Sequence, residues 1–319
     1  MNNQTMAEPL INTNAKRYAV VTGANKGIGF GICKQLASKG ILVILTARDE
    51  KRGIEAQQSL NQFGFSNNII FHRLDVVDPA SIASLVHFIK LRFGKLDILV
   101  NNAGVSGIIV EGDALVLQEL LMEDITSISD GGKPQISDHP KASGRIIETL
   151  KGAEDCVQTN YFGVKRITEA LIPLLQLSDS PRIVNVTSML GNLKILSNEW
   201  AKGMLNDEEK LSEEKIDEVV RNYLKCFEEG SLEANEWPAR LSAYKVSKAA
   251  LNAYTRLTAR KYPSFCVNCI CPGFTRTDIT CNLGLFSVEE AAEGPVKLAV
   301  SPNGGPSGLF FCQKEISPF

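Results

Sequence analysis

Six short runs are apolar at almost every position: YAVVT at 18–22, ILVILT at 41–46, NIIFHRL at 68–74, LDILV at 96–100, RIVNVT at 182–187 and FCVNCI at 265–270. A strand with one wet face alternates apolar and polar residues, so uninterrupted runs imply strands covered on both faces. Longer stretches of helical period separate them. That alternation predicts an α/β fold, a doubly wound parallel sheet with helices on both faces. GLFFC at 308–312 brings the expected number of strands to about seven.

Two stretches break the alternation, at about 108–154, containing the turn-rich SDGGKPQISDHP, and at about 191–240, and are expected to form helical insertions near the substrate pocket. In the second, Ile216, Val219, Val220, Tyr223, Leu224 and Phe227 fall at helical spacing, and Gly230 stands where a helix would stop. Such a stripe must lie on something apolar: a sheet edge, a substrate pocket as a lid, or a surface used for oligomerisation. Residues 1–16 carry no hydrophobic period and are expected to form a flexible tail, leaving 17–319 as one domain with two insertions.

Composition narrows the partners. A formal net charge of −2 gives no pull toward nucleic acid or an anionic membrane, and no apolar run approaches the ~20 residues that span a bilayer. Eight cysteines without a signal-peptide pattern are expected to be free thiols in a reducing, cytoplasmic setting. Cys266, Cys269 and Cys271 sit in a strand-like run, and His72, His87 and His139 are scattered, so no metal site is expected.

Candidate chemistry begins directly after the first strand. Gly23, Asn25, Lys26, Gly27, Ile28 and Gly29 form a glycine-rich turn opening a helix, a geometry that lets backbone approach a pyrophosphate at a helix N-terminus. An NAD site usually ends its second strand with an acidic residue. Here Arg48 stands there, able to clamp a 2′-phosphate with help from Lys26, so NADPH/NADP⁺ is the expected cofactor. Asp49, one place later, is read as a helix cap. Asp75 and Val76 end the third strand, with the Asp75 carboxylate placed to accept from an adenine amino group, and Asn102, Ala103 and Gly104 follow the fourth. Pro272 and Gly273 turn the chain after the sixth, leaving Thr275 and Thr277 as candidate contacts to a nicotinamide carboxamide.

Tyr244 and Lys248 are four apart in SAYKVSKAALNAYTRLTARKY, on one helix face. A lysine ammonium beside a phenol favours the phenolate and lowers its pKa, making a tuned general acid. Ser188, ending the fifth strand, can donate to a substrate carbonyl, and Asn160 can hold a kink and a water relaying protons toward Lys248. Val105, Met189, Leu190, Leu193 and Phe274 flank these motifs and are candidates to line an apolar substrate cavity.

With these elements in order, the sequence resembles the short-chain dehydrogenase/reductase family from about Lys16 to the C-terminus. TGxxxGxG, NNAG, Asn, Ser, YxxxK and PG match Thr22 to Gly29, Asn101 to Gly104, Asn160, Ser188, Tyr244 to Lys248 and Pro272-Gly273. The resemblance implies a Rossmann-like domain, with Lys248 also binding the nicotinamide ribose. Ser188 and Tyr244 lie 56 positions apart, far more than in most members. Such insertions resemble the plant subgroup of salutaridine reductase and the menthone or neomenthol reductases. That likeness implies a monomer acting on a small apolar ketone or alcohol, a monoterpenoid or an alkaloid. A branch of that subgroup reduces carbon–carbon double bonds and carries an acid where Tyr244 stands, so the tyrosine favours ketone chemistry. Thr187 departs from the second serine of many members. An ene reductase and a non-catalytic dinucleotide-binding regulator remain the alternatives.

Overall fold

The computed structural model describes residues 16–129 and 142–319. Apart from Lys16, the expected tail lies outside the described residues. So does most of SDGGKPQISDHP.

The chain first winds through β1 (Tyr18–Val21), α1 (Gly27–Ser38), β2 (Leu42–Ala47), α2 (Glu50–Leu60), β3 (Ile69–Arg73), α3 (Pro79–Phe93) and β4 (Ile98–Asn101). The first long stretch then supplies β5 (Ile108–Glu111), α4 (Leu115–Ser129) and β6 (Arg145–Glu148). It is followed by α5 (Leu150–Val157), a π-helical turn (Gln158–Gly163), α6 (Val164–Leu175) and β7 (Arg182–Val186). The second contains α7 (Glu199–Asn206) and α8 (Glu213–Glu228). Then come α9 (Ser242–Lys261), β8 (Cys266–Cys271), α10 (Val288–Ala299), β9 (Phe310–Cys312) and β10 (Glu315–Ser317).

Eight strands form the main sheet in the order β10-β9-β8-β7-β4-β1-β2-β3, all parallel except β10, which pairs antiparallel with β9 at the edge. This is the doubly wound α/β fold read from the sequence, with the short β10 as an addition. The apolar runs are continuous because the sheet is covered twice: α1, α2 and α10 pack on one face and α3, α6 and α9 on the other. Asp49 accepts from Arg52 N at 2.9 Å and caps α2, while Asp78 caps α3 just ahead of Pro79 at its first turn.

The two insertions have different roles in the fold. β5 and β6 pair antiparallel as a separate two-stranded sheet, with α4 packed on it. The stripe on α8 is buried: Ile216, Val219, Val220 and Tyr223 pack with residues of α5, the π-turn and α9, including Ala153, Tyr161, Val246 and Tyr254. Asp217, at the centre of this contact, is satisfied by Tyr161 Oη at 2.7 Å and by Lys165 Nζ at 3.1 Å. A buried charge is tolerated where such partners surround it.

Candidate functional site

The motifs converge at the carboxyl edge of the parallel sheet, where the winding order reverses on either side of β1. Gly23 has φ +61°, and a Cβ there would lie 2.8 Å from Ala103 Cα; at Gly29 it would meet Asn102 Nδ2 at 2.4 Å. Both glycines are therefore required by the close packing of the loop on the turn after β4. That turn is tied down in return. Asn102 N and Ala103 N donate to Thr22 Oγ1 at 2.9 and 3.0 Å, and Asn102 Nδ2 donates to the carbonyls of Thr22 and Gly23. The result is a rigid cradle of backbone opening onto the N-terminus of α1, the geometry that suits a pyrophosphate.

Beside it lies a cavity of about 490 Å³ lined by Asn25, Lys26, Phe30, Arg52, Glu55 and Asp278, among others. Arg48 follows β2 directly and is exposed. Lys26 is paired with Asp278 of the loop after β8, joining the two sides of the cleft. Asp75 accepts from Val77 N at 3.0 Å, while Val76 is buried beside Leu74 in the core. Ile28 packs against the core under α1. In the loop after β8, Gly273 has φ +87°, Thr275 is buried and donates to Gly273 O at 3.0 Å, and Thr277 closes a small capping box with Thr280.

Tyr244 lies in the first turn of α9 and Lys248 one turn further in, with Lys248 Nζ 5.6 Å from the Tyr244 ring centre. The Ser188 side chain faces the Tyr244 phenol closely enough to favour its ionised form, and Ser188 Oγ accepts from Leu190 N at 3.2 Å. Lys248 is 4% exposed and donates to Val186 O at 3.0 Å. Asn160 sits inside the π-turn, where the sequence suggested a kink. Its Oδ1 accepts from Val105 N and its Nδ2 donates to Val105 O, both at 2.9 Å, so it clamps the turn that follows Gly104. Asn160 Nδ2 also reaches Ser247 Oγ at 3.1 Å. A Cβ on Gly104 would stand 3.7 Å from Lys248 Nζ, so the cradle and the catalytic pair adjoin.

The electrostatics depart from the sequence expectation in one respect. Burial pushes the Tyr244 phenol up rather than leaving it lowered by its lysine. The cause is desolvation of the phenol itself, and burial likewise brings the Lys248 ammonium down to about 8, although it donates to the Val186 carbonyl. The phenol thus keeps its proton through the neutral range, as an acid must.

A family model described as short chain dehydrogenase matches residues 17–130. The chain is 59% identical to (−)-isopiperitenone reductase of Mentha piperita, over 93% of this chain and 96% of that protein. The chain belongs to the short-chain dehydrogenase/reductase family. Among solved structures, menthone neomenthol reductase from Mentha piperita superposes with a TM-score of 0.86 at 56% identity, covering 95% of this chain and 100% of that one. Salutaridine reductase from Papaver somniferum gives 0.81 at 50% identity, covering 93% and 99%. The insertions are therefore shared with relatives of this length within the short-chain dehydrogenase/reductase family.

Around Tyr244 the packing is apolar. Leu117, Leu190 and Leu241 form a buried cluster with Ile108, Ile146 and Ile195, and Tyr244 packs against it. Of the candidate lining residues, Leu190 belongs to this cluster. Leu193 and Val105 pack in the cluster beneath α8, which Tyr244 also touches, and Met189 packs toward Cys271 and Cys312. Phe274 holds its loop through its carbonyl, which accepts from Leu285 N and Phe286 N. The first insertion holds the expected helix, α4, and also an antiparallel β5–β6 pair that sequence reasoning missed. The β-branched runs Ile108 to Val110 and Ile146-Ile147 were the available signal. Sequence reasoning also missed Arg52, which stands four residues after Arg48. Among the described residues no group of three His, Cys, Asp or Glu side chains is placed to hold a metal, and no helix is long and apolar enough to cross a membrane.

Proposed function

We propose that this chain is an NADPH-dependent reductase of a small apolar ketone, a monoterpenoid such as menthone or an alkaloid ketone, acting as one domain in the cytoplasm. The observation that carries the reading is the placement of Tyr244, beside Ser188 and backed by Lys248, between the glycine cradle and an apolar cluster. The backbone cradle, the buried Lys248 ammonium and the cations at Lys26, Arg48 and Arg52 fit a phosphorylated dinucleotide. The names of the relatives support the substrate class, and eight free cysteines fit a reducing compartment.

When bound, the reduced dinucleotide supplies a hydride. The protein's part is to hold the ketone and manage its oxygen. Ser188 Oγ donates to the carbonyl oxygen and orients it. As negative charge grows there, Tyr244 delivers the phenolic proton, and the Lys248 ammonium stabilises the tyrosinate left behind. Asn160 keeps the Val105 turn, and with it Gly104, against Lys248. Arg48, Lys26 and Arg52 would hold the 2′-phosphate. Consumption of NADPH with menthone and with a bulky alkaloid ketone tests the reading. Alcohol product supports it, whereas binding without turnover of any ketone favours a regulatory protein.

Two further results are expected. Lys248 is charged below about pH 8 and neutral above it. Reductive kcat/KM should therefore fall through a basic limb near that pH, because the cation that stabilises the tyrosinate is lost while Tyr244 keeps its proton. A profile flat to pH 10 would remove Lys248 from this role. The second concerns assembly. With the α8 stripe buried on α5 and α9, that face is closed to a second copy, and sedimentation at micromolar concentration should give the 34.8 kDa chain mass. Twice that mass would mean that another surface pairs.

A further inference from the structure

The first turn of α9 has an unusual support. The four leading N–H groups of a helix have no partner within it, so this turn frays unless it is capped. Leu241, at the cap position, is left-handed with φ +52° and its side chain offers no hydrogen bond. The cap comes instead from 94 residues earlier in the chain: Glu148, the last residue of β6, accepts from Ser242 N at 2.9 Å and from Ser242 Oγ at 2.7 Å through one carboxylate oxygen. Ser242 Oγ also lies 2.7 Å from the Tyr223 hydroxyl of α8. Since the serine proton goes to the carboxylate, Tyr223 donates to the serine. One turn position on, Lys245 Nζ donates to Asp124 of α4 at 2.9 Å.

Both insertions therefore meet on the turn that carries Tyr244. We infer that Glu148 is a positioning residue for the reaction: its carboxylate, stacked at the positive end of α9 and relayed through Ser242 to Tyr223, fixes the turn from which the phenol reaches the ketone oxygen. Lys248, a full turn deeper and bonded to Val186, does not depend on it. The insertions in this view are catalytic scaffolding as well as cover. The inference rests on the reading of Tyr244 as proton donor.

The test compares Glu148→Ala, Glu148→Gln and Tyr223→Phe with Tyr244→Phe, at a temperature where circular dichroism reports each fully folded. Glu148→Ala should lower kcat for ketone reduction about ten- to a hundredfold, the size of a lost hydrogen bond to a charged group, with KM for NADPH within about twofold. Glu148→Gln keeps an acceptor and should recover most of that loss. Tyr223→Phe should fall between the two. Amide exchange at Ala243 to Lys245 should accelerate in Glu148→Ala while the interior of α9 stays protected. Unchanged kcat in Glu148→Ala, or a uniform loss of protection along α9, overturns the inference. If Glu148→Ala does not fold, unchanged kcat in the Glu148→Gln, Tyr223→Phe double variant overturns it. An inactive Tyr244→Phe beside a normal Glu148→Ala removes this inference alone, whereas an active Tyr244→Phe removes the proton-donor reading beneath it.

Discussion

Tyr244→Phe should reduce ketone turnover at least ~100-fold, the low end for general acid catalysis, while NADPH still binds. The substitution deletes one oxygen and its proton from a side chain whose ring packs against the Leu117, Leu190 and Leu241 cluster, so that apolar packing is preserved. Burial holds the phenol protonated, and no acid other than Tyr244 is placed beside Ser188 among the described residues. Water would have to take over the protonation. Cofactor binding is measured separately by fluorescence titration, so that lost chemistry is distinguished from lost binding. Retained reduction would show that the proton comes from elsewhere. Survival of enone saturation alone would favour double-bond chemistry.

Arg48→Ala should raise KM for NADPH by about one to two orders of magnitude and leave NADH little changed. The guanidinium follows β2 at the sheet's carboxyl edge and is exposed. Lys26 is engaged by Asp278, which leaves Arg48 the less committed cation. The acidic residue next to it does not compete for a ribose diol, because Asp49 is used to cap α2. Steady-state kinetics with both cofactors decide the point. An unchanged NADPH to NADH preference would move the phosphate contact to Lys26 and Arg52, both of which line the neighbouring cavity.

What could be read in the sequence follows from how local each signal is. The strands were legible because a doubly covered sheet leaves continuous apolar runs, and all six residues of β2 and of β8 are indeed buried. Tyr244 and Lys248 were legible because one helix turn relates them. The glycine loop was legible as a loop, but its partner in the NNAG turn is found only by folding: Thr22 Oγ1 receives Asn102 N from 80 positions away. The same holds for β5 and β6, four residues each and 34 positions apart at the Glu111 and Arg145 pair. Their pairing brings Ile108 and Ile146 to the apolar cluster at Tyr244, which no periodicity within 108–154 announces. The stripe on α8 was visible, but its seat on α5 and α9 was one of three surfaces the pattern allowed. The phenol's raised pKa was missed for a related reason: spacing reveals the lysine neighbour and not the burial.

Hydride destination is the most direct measurement. With NADPH deuterated at nicotinamide C4 and a cyclic enone such as piperitone, a carbonyl reductase using Tyr244 as acid puts the label on the carbinol carbon of an allylic alcohol. Label on the β-carbon of a saturated ketone would contradict ketone reduction by this site.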